Sequence, residues 1–283
     1  MAVDTFIPEI WSAKLVATLE NALVYGYAAN RNYEGDIAQK GDTVHINAVT
    51  DPTVGDYTAG SDIDIEDAAT AEKGTLKIDQ AKYFAFYADD VKKRQAAGDF
   101  VSEATAKAAY KLRDAADKFL GKKMSDKAGT TLTKVATTDP AKAYDTLVDL
   151  ATALDEKSAP TEGRWVVVTP AFYGLLRKDA RFVSGSDAAN TTLHNGIVGS
   201  AAGLTVLESV NTPVAGSGGA GGNFIIAGTN DATTFAEQIV SVEAARKEKG
   251  FGDIVKGLHL YGAEVVLPEA LARVAFKPTN EGA

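Results

Sequence analysis

The chain has 283 residues, 45% hydrophobic and 24% charged, which are ordinary proportions for a globular protein with a sizeable core. Its net charge of −9 lacks the basic footprint usual in a protein whose task is gripping nucleic acid, and the absence of cysteine excludes disulfides, thiolate metal sites and cysteine nucleophiles. No apolar run approaches the ~20 residues that span a bilayer, and the N-terminus carries Asp4 and Glu9 with no basic stretch, unlike a secretory signal.

Along the chain, Ile10, Leu15, Leu19, Leu23 and Val24 fall near helical spacing between Phe6 and Ala29, with Trp11 beside them. They predict an amphipathic helix whose apolar stripe needs a partner surface. Residues 43–49 alternate, with Val44, Ile46 and Ala48 on one face, and residues 75–79 place Leu76 and Ile78 on one face. Between them lie Pro52, Gly55 and Gly60, then Asp62, Asp64 and Glu66. This pattern predicts a long two-stranded excursion with a polar tip, too thin to bury itself and so leaning on another surface.

Asp89 and Asp90 are placed to cap a first helical turn, and Gly98-Asp99 to break it and cap a second. From Phe100, apolar residues recur through Ala104, Ala108, Leu112, Ala116 and Leu120, predicting a helix of about 40 Å ending near Ser125. Lys111, Arg113 and Lys118 should face outward. Tyr144, Leu147, Val148, Ala151 and Leu154 form the next helical stripe, and residues 165–168 read as a buried strand. Thr169-Pro170 then caps and opens a helix to Lys178. Residues 179–195 read as polar loop. Residues 204–207 and 224–227 read as strands on either side of a glycine-rich run, and residues 239–276 as strands with a turn at Lys249-Gly250.

Gly216, Gly218 and Gly221 match the dinucleotide-binding fingerprint as a string. That mechanism needs a strand before the glycines and a helix after them. Here a strand follows, so a surface loop is the better reading. His45, His194 and His259 are far apart with no paired spacing. Asp62, Asp64 and Glu66 share one strand face but lack the glycine turn and bidentate position of a calcium loop. A solvated acidic face, or one meeting basic side chains of a neighbour, fits them better. No nucleophile elbow, zinc-binding helix or phosphate-binding loop motif occurs. No catalytic residue, metal ligand or cofactor is expected.

The order of parts (arm, acidic hairpin, long helix, mixed α/β middle, returning strands) resembles the Hong Kong 97-type fold of tailed-phage major capsid proteins, an α+β class. Phe6-Ile-Pro-Glu-Ile-Trp-Ser12 is similar to the opening of such proteins from phages of actinobacteria. Gly203-Leu-Thr-Val-Leu-Glu-Ser209 with Asn211 resembles the family's strand closing the axial domain. Ala227-Gly228 with Ala232, Ala236 and Gln238 resembles its return to the peripheral domain, and residues 251–257 with Tyr261-Gly-Ala resemble its last strands.

The resemblance implies an N-terminal arm at 1–34, an extended hairpin loop at 35–88 and a peripheral domain with a spine helix at 89–140. An axial domain at 141–234 and returning peripheral strands at 235–283 complete it. It implies a non-enzymatic subunit that assembles into pentamers and hexamers of an icosahedral shell in the host cytoplasm. The shell would enclose double-stranded DNA without sequence-specific binding, in a virion with portal, scaffolding and decoration proteins. The acidic balance suits a container that does not stick to such a cargo. Phe6, Ile10, Trp11, Asp62, Asp64, Glu66, Lys73 and Lys77 are the expected inter-subunit contacts. Because the chain starts at the arm, a scaffolding domain is expected to be separate, and no motif marks a covalent lysine cross-link. An encapsulin-like bacterial nanocompartment shell is the nearest alternative, and a small-molecule α/β enzyme an alternative from another class.

Overall fold

A computed structural model of the chain describes residues 24–32, 43–49, 70–89, 100–179, 181, 197–216, 221–246 and 251–278. A short helix α1 (Val24–Tyr27) precedes strands β1 (Thr43–Val49), β2 (Thr70–Lys77) and β3 (Gln80–Asp89). The long helix α2 (Phe100–Lys127) leads into β4 (Thr130–Ala136), α3 (Pro140–Glu156), β5 (Arg164–Val168) and α4 (Pro170–Leu176). Strands β6 (Ile197–Ala201), β7 (Leu204–Glu208), β8 (Asn223–Thr229), β9 (Thr233–Arg246), β10 (Gly252–Val265) and β11 (Leu271–Lys277) follow.

These form three sheets: the ribbon β1-β2, the three-stranded sheet β3-β10-β9, and a six-stranded sheet ordered β4-β11-β8-β5-β7-β6. The six-stranded sheet carries the main core. Its β5 is buried along its whole length, as expected of an apolar β-branched run covered on both faces. Helix α3 starts where Asp139 accepts from the Ala141 amide at 3.0 Å, and α4 where the Thr169 hydroxyl accepts from the Phe172 amide at 3.1 Å. Both have proline in the first turn, where its missing N–H has nothing to lose. Leu147, Leu150 and Leu154 of α3 and Phe172 of α4 enter the core, and the Phe172 ring meets Phe276 of β11 edge-on at 4.9 Å. Val148 departs from its expected place and is 41% exposed. The buried stripe of α3 runs through Ala143, Leu147, Leu150 and Leu154, leaving Val148 at its margin.

Several segments differ from the sequence reading. Residues 80–89, expected as the end of the hairpin and a helix cap, form β3 and pair antiparallel with β10. Exposure alternates along Tyr83–Ala88, with Phe84, Phe86 and Ala88 turned inward and Tyr83, Ala85 and Tyr87 outward, as in a strand with one open face. Strands β4 and β6 were not anticipated. Strand β4 pairs parallel with β11, so segments on both sides of residues 141–234 complete the larger sheet.

Helix α2 joins the two larger sheets. Its Ala116, Leu120 and Met124 belong to the main core, and Phe119 meets Tyr261 of β10 edge-on at 5.4 Å. The arm packs against it through Tyr25. A Cβ on Gly121 would lie 2.8 Å from the Tyr25 ring, so only glycine lets the ring lie against the helix backbone. On an unencumbered helix Gly→Ala gains about 1 kcal/mol. Gly121→Ala is expected to lower stability instead, by about 1–3 kcal/mol through overpacking, measured by chemical denaturation. A gain would show that Tyr25 does not dock there.

Candidate inter-subunit surfaces

Successive residues of a strand point to opposite faces, and β10 uses both. Tyr261 points to α2, while a Cβ on its neighbour Gly262 would lie 2.2 Å from the Lys77 carbonyl oxygen. The β1-β2 ribbon therefore lies on the face of the three-stranded sheet opposite α2. Ile46, Leu76 and Ile78 seal this contact against Ala236 and Leu260.

Beyond the ribbon the same face is open. Tyr83, Ala85 and Tyr87 of β3 stand opposite Leu258, Lys256 and Ile254 of β10. Tyr83 is 77% exposed, and Phe251, just before β10, is 79% exposed. The Tyr87 hydroxyl donates to the Phe251 carbonyl at 3.0 Å, which fixes that residue against the sheet edge. Lys256 and Glu243 pair across β10 and β9 at 2.7 Å within the same patch. Phe84 and Phe86 point to the other face, where a Cβ on Gly257 would meet the Phe84 ring at 2.4 Å. An aromatic patch standing out into water in this way marks an association surface.

A second exposed apolar point follows β7, where Val210 and Val214 are 82% and 59% exposed. The adjacent Asn211 ties that loop to α2. Its side-chain amide donates to one oxygen of Asp117 at 3.1 Å, while the Tyr25 backbone amide donates to the other at 2.9 Å. Burial pushes the Asp117 carboxyl above its ordinary value, and the bonds from Tyr25, Asn211 and Val24 with the Arg113 charge oppose that rise. In the third polar junction, His259 is fully buried with its Nε2 3.0 Å from Glu237, and Arg31 of the arm pairs with the other Glu237 oxygen.

Of the residues singled out by sequence, Phe6, Ile10, Trp11, Asp62, Asp64 and Glu66 lie outside the described residues. Lys73 sits at the β1-β2 bulge, where Ile46 pairs with Gly74 and Asn47 with Glu72, and Lys77 is exposed at the ribbon root opposite Thr43. His45 lies exposed in β1, His259 is fully buried in β10, and His194 is outside the described residues. The glycine-rich run leads into β8, and Gly222, at φ +87°, abuts the Phe276 carbonyl. No helix N-terminus follows it, so the amides that a pyrophosphate needs are not arrayed. Tyr83, Tyr87 and Phe251 were missed, although the run of aromatic residues from Tyr83 to Tyr87 is a strand signal.

Two outcomes follow from this geometry. Tyr83→Ser with Phe251→Ser should leave the denaturation midpoint nearly unchanged, as exposed substitutions do, while reducing self-association in sedimentation. Unchanged association would remove the patch from consideration. For Asp117, a raised folded pKa means the folded chain binds this proton more tightly than the unfolded one. Its contribution to stability is thus fully present below the unfolded pKa and is lost as pH rises through the folded value. The stability of wild type relative to Asp117→Asn should therefore increase from pH 7 to pH 4. A flat difference, or one of opposite sign, would contradict the burial argument.

The family model of phage capsid proteins matches residues 71–274. A solved structure from Mycobacterium phage Che8 is 31% identical, with a TM-score of 0.72 and 98% of each chain covered. The capsid of cyanophage P-SCSP1u shares the fold at 13% identity, a TM-score of 0.66, and 86% and 85% coverage of this chain and that one. A virus-like particle from Pyrococcus furiosus shares it at 11% identity, a TM-score of 0.60, and 95% and 100% coverage. No curated protein matches the chain closely. The family match over residues 71–274 and the Che8 likeness along the whole chain show that it belongs to the phage capsid protein family, as a shell subunit with the Hong Kong 97-like fold.

Proposed function

We propose that the subunit assembles with copies of itself into pentamers and hexamers of an icosahedral shell that encloses double-stranded DNA. The observation that carries this reading is the open aromatic face of the three-stranded sheet, with Tyr83 and Phe251 almost fully in water. A monomer gains nothing from that exposure, whereas a closed point-group assembly covers the same patch on every copy. The ribbon lies on that same face, so the segment joining β1 and β2 of one subunit can run across the patch of its neighbour. The body at 141–234, completed by β4 and β11, would then surround the capsomer axes. The three-stranded sheet and α2, drawn from residues 80–127 and 233–265, would meet at local threefold positions, and the part of the arm that precedes Val24 would reach another neighbour. Assembly would take place in the bacterial cytoplasm with portal and scaffolding proteins, and decoration proteins would bind the finished surface. The subunit would act by association and not by catalysis.

Expression of the full chain, with and without a candidate scaffolding protein, followed by electron microscopy, tests this. Rings or closed shells are expected, and monomers under every condition would refute the proposal. Replacing residues 51–68 by a short Gly-Ser link should keep the subunit folded, because β1 and β2 retain their contacts with Leu260 and Ala236. Closed shells should no longer form. Loss of folding in that variant would show that the segment serves its own subunit.

A further inference from the structure

Helix α2 carries Lys107, Lys111, Lys118 and Lys122, all exposed. At 3.6 residues per turn, spacings of four, seven and four place them within about 60° of one another, along about 22 Å of helix. Leu112, Ala116 and Leu120, which pack into the protein, lie on the opposite side. Asp114 is the acidic member of the stripe and pairs with Lys118 at 2.8 Å, so the stripe stays net positive on a chain of net charge −9.

The placement of this charge in the fold is the informative part. The sheet separates α2 from the β1-β2 ribbon, because adjacent residues Tyr261 and Gly262 contact one each. The segment joining the two strands of the ribbon, residues 50–69, holds Asp51, Asp56, Asp62, Asp64, Glu66 and Asp67 and no Lys, Arg or His. The acidic segment is thus rooted on one face of the sheet and the lysine stripe lies beyond the other. Copies in an icosahedral shell are related by rotations about axes through its centre, so each presents the same face inward. From this geometry, and resting on the shell reading above, we infer that α2 faces the interior and that its lysine stripe contacts the phosphate backbone of the enclosed DNA. The ribbon faces outward. About 22 Å of duplex carries about 13 phosphate charges, ample for four lysines. Such contact reads no sequence.

The test measures binding of a fluorescent 30-base-pair duplex to the full-length subunit as salt is varied from about 20 mM upward. Wild type should bind at low salt, with the logarithm of affinity falling against the logarithm of salt with a slope near −3 to −4, about 0.9 per neutralised phosphate. The quadruple variant K107Q/K111Q/K118Q/K122Q should lose most of that slope, and K111Q or K118Q alone about 0.9 each. K142Q/K157Q/K178Q, which removes exposed lysines of the larger domain, should leave it unchanged. Thermal melting checks that each variant is folded, and the single variants carry the test if the quadruple one is not. No binding by wild type at 20 mM salt, or equal losses in the two lysine sets, would overturn the inference. So would a peptide of residues 50–69 that binds wild type more tightly than duplex and not the quadruple variant, which would assign the stripe to a neighbouring subunit. Shell formation by electron microscopy is scored separately, so failure to assemble and failure to bind duplex remain distinguishable.

Discussion

A buried carboxylate must find donors, and Asp117 finds them in segments 92 and 94 residues away along the chain. Leaving its charge unpaired inside the protein would cost several kcal/mol. The backbone of Tyr25 and the side chain of Asn211 therefore have to arrive together at the middle of α2. That requirement fixes the arm, the long helix and the loop after β7 relative to one another. The contact of Tyr25 with Gly121, one turn further along, adds shape to the polar constraint. Arg273 of β11 closes the far end of the helix, donating to the Ser125 carbonyl while its guanidinium lies 4.5 Å from the centre of the Phe224 ring. Helix α2 is thus held at its middle by the arm and the loop after β7, near its C-terminal end by the larger sheet, and along its side by the smaller one.

The smaller sheet shows how glycine sets which surface is covered. Gly257 leaves room for Phe84 on the helix side, and Gly262 leaves room for the ribbon on the other. Each glycine forgoes side-chain packing of its own and admits a close neighbour in exchange. Where β3 instead places tyrosines, at Tyr83 and Tyr87, the same face stays open. The pattern of small and large residues along two paired strands separates contact within the subunit from surface left for another copy.

Much of this fold was legible because its strongest signals are local. The spacing of apolar residues after Phe100, the Thr169-Pro170 start of α4 and the alternation of residues 43–49 each name their element from a short window. Strand β4 escaped notice because Thr130–Ala136 is polar on its exposed side and is held by Leu271–Lys277, about 140 residues later. The role of Asp117 was hidden for a similar reason: a single acid in a helix looks solvated until its distant donors are known. Residues 80–89 did carry a readable strand signal in Tyr83, Phe84, Phe86 and Tyr87. Their position beside a charged stretch favoured a loop and a helix cap, and pairing with β10 overrode that local preference. The expected contact residues of the arm and the acidic segment lie outside the described residues, whereas the tyrosines of the exposed aromatic patch come from a segment expected to be the end of the hairpin.

Strand β11 sits between β4 and β8, inside the six-stranded sheet, yet it is the last strand among the described residues. Until residues 271–277 leave the ribosome, β4 and β8 have no common partner, and the core contact between Phe172 and Phe276 has no second ring. A truncated chain cannot complete the larger sheet, whatever its earlier segments have achieved. A subunit is therefore whole only once β11 has been made, and a partial chain is kept from joining a growing lattice as an incomplete tile.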